Sequence, residues 1–249
     1  MNIGLYQSAS ALTAIERWQD VVAQNITSSQ TTAYRKRTVS FSTELSGELQ
    51  TDPHGRMGEG NGTPAIFPKI NTGVNFNSGE TEPTRRDLDL ALQGEGFFEV
   101  QMPDESKAYT RSGEFRMRPD RTLVTTGGQE VMSTSGRPIV LLAGGGAISI
   151  EEDGTILQGG AQLGKLAVRK FSDNSVLSPI AGGYFTAPEG VEAELVEKPE
   201  VLQGYLESSN TSSLREMVDM VIISRAYEAN QKIISVADQT MQQTLDALG

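Results

Sequence analysis

The residues able to do chemistry are few. The chain has one histidine, His54, and no cysteine. A Ser–His nucleophile pair would have to use His54, which sits in Asp52-Pro53-His54-Gly55, a loop with no nucleophile elbow nearby. One histidine cannot build a His-based metal site, and the lack of cysteine excludes thiolate ligands and disulfides. Asp87 with Asp89, and Glu151-Glu152-Asp153, have the oxygen chemistry of a weak cation site. On strands and turns such acids read as solvent-facing. Gly94-Glu95-Gly96 and Gly144-Gly145-Gly146 neither open a helix nor carry the Lys-Ser/Thr pair of a phosphate loop. A carboxylate pair for glycan hydrolysis stays open, but 6% aromatic residues with one Trp is lean for a sugar cleft. No catalytic, cofactor-binding or metal-binding residue is therefore expected, and function is expected to lie in surfaces.

Charge and hydropathy narrow those surfaces. A formal net charge of −11 disfavours nucleic acid and anionic membranes. No 18-residue apolar run exists, so membrane insertion is not expected. The start, Met1-Asn2-Ile3-Gly4-Leu5, lacks a basic region, and Glu16 and Asp20 interrupt any apolar run, unlike a cleavable signal peptide.

The elements that must present such surfaces are written in the breakers. All ten prolines lie between Pro53 and Pro199, and no glycine falls between Leu5 and Ser46 or between Tyr205 and Leu248. The ends are helix-permissive and the middle is turn-rich. Leu214 to Leu248 reads as one helix of roughly 50 Å. Asn210-Thr211-Ser212-Ser213 precedes it, and Ser213 with Glu216 fits a capping box. One stripe steps by three and four through Met217, Met220, Ser224, Tyr227, Gln231, Ile234, Asp238, Met241 and Leu245. A second, roughly opposite, runs through Ile222, Ala226, Ala229, Ile233 and Val236. A helix apolar on two sides needs more than one neighbour. The first segment, about Ile3 to Ser28, carries Leu5, Ser8, Leu12, Ile15, Gln19, Val22 and Ile26 at the same period, with Trp18 off the seam.

From Gln30 to Gly79 the pattern weakens to an extended connection, with a strand around Ala65 to Ile70 and a solvated basic run, Arg35-Lys36-Arg37. From about Thr84 to Glu197 short alternating runs separated by turn residues predict antiparallel strands. Leu88, Leu90 and Leu92 share one face of the first, followed by Phe98, Val100 and Met102. The fold class is α+β: terminal helices forming a coiled-coil-like domain (residues 1–30 and 205–249), a connecting region (31–83) and a mainly antiparallel central domain (84–204).

Stretches in three regions of the chain resemble known sequence patterns. Val22-Ala23-Gln24-Asn25-Ile26 through Ala33-Tyr34-Arg35-Lys36 is similar to the "ANNLANxxTxGFK" signature of the flagellar rod and hook family of bacterial axial proteins, with Ala33 where the pattern has Gly. Leu88-Asp89-Leu90-Ala91-Leu92-Gln93-Gly94-Glu95-Gly96-Phe97-Phe98 and Tyr109-Thr110-Arg111-Ser112-Gly113-Glu114-Phe115 resemble "LDxAIxGxGFF" and "YTRxGxF". Gly204-Tyr205-Leu206-Glu207-Ser208-Ser209-Asn210, Glu216-Met217-Val218 and Arg225-Ala226-Tyr227-Glu228-Ala229-Asn230 resemble the family's ending. Within the family, the short length is unlike the hook protein, and the middle is most similar to proximal-rod members.

The resemblance implies a subunit exported by the flagellar type III apparatus without a cleaved signal peptide. It would assemble in the periplasm with itself and other rod subunits into a helical tube. Leu5, Leu12, Ile15, Val22 and Ile26, with the two stripes of the terminal helix, would be the subunit contacts. Phe41-Ser42-Thr43-Glu44-Leu45 looks like an export-gate element, carried by Phe41 and Leu45. The competing class is a periplasmic glycan hydrolase.

Overall fold

The computed structural model describes residues 3–48 and 64–248. His54 lies outside the described residues, as do the side chains of Leu5, Leu45 and Leu245. Helix α1 spans Ile3–Thr27 and helix α2 spans Ser213–Leu248, both in the breaker-poor ends of the chain, and α1 stops well before the next glycine, Gly47. Between them the chain is strands and turns, mostly antiparallel, so the molecule is α+β.

The chain divides into two compact units. One contains both helices and the strands Arg37–Glu48 and Pro64–Val74 up to Gly73, which pair with each other. The other contains the loop Ser28–Lys36 and the stretch Val74–Ser212. The stretch read as an extended connection thus holds two long strands, of 12 and 11 residues.

The second unit is built on strand Phe97–Gln101, the middle of a nine-stranded sheet. Lys107–Thr110 pairs with it on one side, Val100 opposite Ala108. On the other side Val168–Lys170 and Glu130–Val131 share its length, with Val168 opposite Phe98 and Val131 opposite Val100. A central strand buries both faces, which is why Phe97-Phe98-Glu99-Val100 is apolar nearly throughout. Phe98 and Val100 enter the larger core with Leu90, Phe115, Leu123, Ile156 and Val201. Phe97 enters a smaller aromatic one with Tyr109, Phe171 and Phe185. The Phe98 and Phe115 rings meet edge to face, 5.1 Å apart.

Two readings are corrected here. Asp89 is fully buried rather than solvent-facing, and its backbone bridges to that of Glu114. The Arg86 guanidinium stands 3.6 Å from its carboxylate. Arg35 is also buried, so the basic run is not a solvated stretch. Two short pairings close the unit: Leu90–Gln93 with Glu200–Gln203, and Thr81–Pro83 with Tyr205–Glu207.

Truncating Phe98 to Ala should cost about 3–5 kcal/mol, because neighbours that interdigitate with the ring cannot collapse into the space it leaves. Met117→Ala, at an exposed edge position, should stay within about 0.5 kcal/mol. Urea denaturation followed by circular dichroism distinguishes them, and equal midpoints for the two variants would contradict this core.

Candidate assembly surfaces

In the helical unit α1 and α2 pack through Ile15, Val22 and Ile223, with Trp18, Ile26, Met220, Ala226 and Tyr227 around them. The structure brings Ile15, Val22, Ile26, Met220, Ala226 and Tyr227 together within one chain. Leu12 and Ile234 are half-buried. Met217, Ile222, Ala229, Ile233 and Met241 are exposed. Ile223 carries no exposure at all, although it belongs to neither stripe read from the sequence. A true 3.6-residue period drifts across a heptad count, and Ile223 lies where Met220, Ala226 and Tyr227 converge.

A second feature of this pair carried no hydrophobic signal. Asn25 is buried on α1, and its Nδ2 donates to Glu216 Oε2 at 2.9 Å. The same amide donates to the Arg37 carbonyl and accepts the Arg37 N–H, both at 2.9 Å. One side chain therefore ties α1 to α2 and to the first strand. Trp18 meets Phe41 edge to face at 5.4 Å, and Phe41 stays half-exposed.

The side of α2 turned away from this packing is apolar and uncovered. Leu214, Met217, Val218, Val221 and Ile222 lie exposed near its start. Ile233, Val236 and Met241 continue further along. Contiguous exposed apolar runs of this kind are uncommon on the surfaces of monomeric proteins.

In the β unit the motif residues converge on one carboxylate. Glu207, on the last strand, is 2% exposed. Its Oε1 lies 2.7 Å from Arg35 Nη1, and its Oε2 accepts from Arg111 Nε at 2.8 Å. The Gly79 N–H donates to Oε1 as well. Arg111 spends its other donors on the carbonyls of Leu92, Gly94 and Gly96. Those carbonyls turn inward because Gly94 and Gly96 take positive φ, 75° and 130°. Burial alone would raise the Glu207 carboxyl, but the hydrogen bonds and charges of Arg35 and Arg111 outweigh it and hold the group below its ordinary 4.5.

Nearby, the Asn210 side chain binds two segments. Its Oδ1 accepts the Lys36 N–H at 2.6 Å, and its Nδ2 donates to the carbonyls of Asn75 and Asn77. Ala33, where the family pattern has Gly, adopts φ 55° and donates its N–H to the Glu207 carbonyl. The left-handed turn forms without glycine.

Of the acids considered for chemistry, Asp153 is bound to its own turn and to Lys165. The Thr155 side chain and backbone N–H, and then Lys165, hold Asp153 down to about 2. Among the described residues no three His, Cys, Asp or Glu side chains come together as a metal site, and no helix is long and apolar enough to cross a membrane. What is built here is a structural protein: buried polar ties and uncovered apolar helix surface.

Comparison with known proteins identifies the family. Residues 202–247 match the family described as "Flagellar basal body rod FlgEFG protein C-terminal", and residues 91–158 match "Flagellar hook protein FlgE/F/G D1 domain". The flagellar basal-body rod protein FlgF of Rhizobium meliloti is 30% identical, over 100% of this chain and 99% of the relative. FlgF of Caulobacter vibrioides is 28% identical over 100% and 99%. FlgG of Buchnera aphidicola (subsp. Baizongia pistaciae) is 30% identical over 96% of each. The chain belongs to the flagellar basal-body rod protein family. Proteins of this family are structural, and nothing in the comparisons favours a glycan hydrolase.

Glu207→Gln should cost about 3 kcal/mol at pH 7, since it leaves two buried guanidiniums without their counter-charge. Because the folded pKa is depressed, the carboxylate's contribution is complete above its unfolded value and lost as pH falls through the folded one. The difference between wild type and variant should therefore shrink below about pH 4. Urea midpoints measured from pH 3 to 7 check it, and a difference independent of pH would refute the assignment.

Proposed function

We propose that this chain is a structural subunit of the bacterial flagellar basal-body rod, in which the terminal helices of neighbouring copies and other rod subunits pack as coiled coils into a helical tube. The observation that carries this is the uncovered apolar surface of α2, with Ile222, Ile233 and Val236 exposed on a helix already packed against α1. One partner helix covers one stripe, so the remaining stripe meets another subunit. Contacts of this head-to-tail kind do not close, and they propagate as a filament. The domain reading goes with it: residues 1–30 and 205–249 as the helical rod core, 31–83 as a connecting region and 84–204 as an outer β domain.

Within the family the reading is a proximal-rod, FlgF-like subunit. The FlgF relatives align with this chain over 100% of its length and 99% of their own, whereas FlgG of Buchnera aphidicola aligns over 96% of each. FlgG is the second reading on the strength of its equal identity. Export through the type III apparatus without signal cleavage fits this place, with Phe41 and Leu45 as the candidate gate element of the extended chain. The position of a labelled copy along purified basal bodies tests the reading. A proximal position supports it, a distal one selects FlgG, and absence from the basal body refutes both.

The double substitution Ile222→Asp with Ile233→Asp should leave monomer stability within about 0.5 kcal/mol per site, because both positions are exposed. It should nonetheless abolish incorporation into basal bodies and motility. Wild-type incorporation by this variant would show that the α2 surface is not a subunit contact.

A further inference from the structure

The β unit holds a cleft that the rod reading does not use. Its volume is about 410 Å³, inside the range of about 300–1,000 Å³ in which small molecules are bound. Gln30, Thr31 and Thr32 line it from the loop Ser28–Lys36. Gly127 lines it from the hairpin between the strands Leu123–Thr125 and Glu130–Val131, and Gly182 from the turn between Ser178–Ile180 and Tyr184–Thr186. Ser112 and Tyr184 also line it.

Two glycines keep the space over Tyr184 open. A Cβ at Gly127 would fall 2.5 Å from Gln129 Oε1 and 2.8 Å from Tyr184 Oη. Gly127 is not among the glycines with positive φ, so what requires glycine there is space rather than backbone conformation. A Cβ at Gly182 would fall 2.8 Å from Tyr184 Cε2. The Tyr184 hydroxyl lies 2.7 Å from Thr125 Oγ1 and donates to Gln129 Oε1 at 2.6 Å, which fixes the ring beneath the opening.

The lining decides what the cleft can take. Among the described residues that line it there is no Lys, Arg or His to meet an anion. Its one carboxylate, Glu114, is already paired, with Arg116 Nη2 at 3.1 Å and Arg86 Nη1 at 3.7 Å, so a cation gains little there. What remains is the amide of Gln30 and the hydroxyls of Thr31, Thr32 and Ser112, each able to donate and accept. Opposite them lies one aromatic ring. Neutral groups of both hydrogen-bonding senses beside a single apolar plane match a molecule that alternates O–H and C–H, which is a sugar. We infer that this cleft is a binding site for a short neutral saccharide, a mono- or disaccharide unit, whose hydroxyls meet Gln30, Thr31, Thr32 and Ser112 and whose C–H face lies against Tyr184. The site binds without cleaving, because glycoside hydrolysis takes two carboxylates and the cleft has one. The inference is independent of the rod reading, which rests on α2.

Amide shifts of the ¹⁵N-labelled full-length protein test it, with glucose, N-acetylglucosamine, maltose, cellobiose and chitobiose added separately. At least one should bind with a Kd of about 1–10 mM. The shifts should concentrate at residues 30–32, 112, 127 and 182–184, and the disaccharides should be recovered intact. Thr31→Val combined with Ser112→Val should weaken binding about tenfold, the loss of two hydrogen bonds. If the double variant does not fold, Thr31→Val alone, at an exposed position, should weaken it about threefold. Absence of shifts with every sugar would overturn the site. So would shifts centred elsewhere, or an affinity that the substitutions leave unchanged.

Discussion

A carboxylate buried between two guanidiniums sets the terms for the β unit. Three charges taken out of water are expensive, and the attraction among them repays that only when the remaining donors are satisfied. Arg111 meets this condition through the carbonyls of Leu92, at the end of a strand, and of Gly94 and Gly96 in the turn that follows. The turn is shaped for that purpose. A Cβ at Gly96 would come within 2.8 Å of Val168 Cγ1, so only glycine lets the turn close over the neighbouring strand. Glu207 in turn places the strand that ends the β unit, and Arg35 and Ala33 bring the earliest segment of that unit to it. Remove the carboxylate and two arginines are stranded inside the protein, which makes the arrangement all-or-none.

The helical unit solves a different problem. Its fully buried apolar core is small, essentially Ile15, Val22 and Ile223. At 1.5 Å per residue, the 25 residues of α1 cannot run the length of the 36 of α2. Burial along α2 thins accordingly, and beyond Ile234 only Ala237 is even half-buried among the described side chains. A helix this long is held only in part through α1 and leaves apolar residues uncovered on its other side.

Much of this was legible because period and punctuation are written locally. The confinement of Gly and Pro to the middle marked both helices, and alternation around Leu90, Phe98 and Val100 marked the sheet. Of the strand pair at residues 37–48 and 64–74, the second was read only around Ala65 to Ile70 and the first was not read, although Val39, Phe41 and Leu45 fall on one alternation, because Ser and Thr at many positions, and Pro64 and Pro68 in the second strand, dilute the pattern. Ile223 was missed because a strict heptad count steps over it. The buried ties were missed for another reason. A single Glu, Arg or Asn carries no signal of its partner when that partner lies 96, 174 or 191 residues away. Burial of Arg35 could be read only by knowing that Glu207 would be there. The family resemblance did point to the right stretches, without showing what joins them.

What joins them explains why those stretches are polar. Asn25, Arg35, Arg111, Glu207, Asn210 and Glu216 all lie in the segments that resemble the family patterns, and all make hydrogen bonds or ion pairs at a distance in sequence. Apolar contacts tolerate sliding, because one Leu on another costs little to shift by a turn. A helix pair with so few buried apolar residues would be free to slip along its stripe. Asn25 forbids this: its amide must meet Glu216 and the Arg37 backbone together, and a shift of one residue would leave several buried polar groups unpaired. The loop at Ala33 to Lys36 is likewise tied by its backbone to Glu207 and Asn210. Buried polar pairs thus settle the register of the helix pair where so little apolar burial would leave it open.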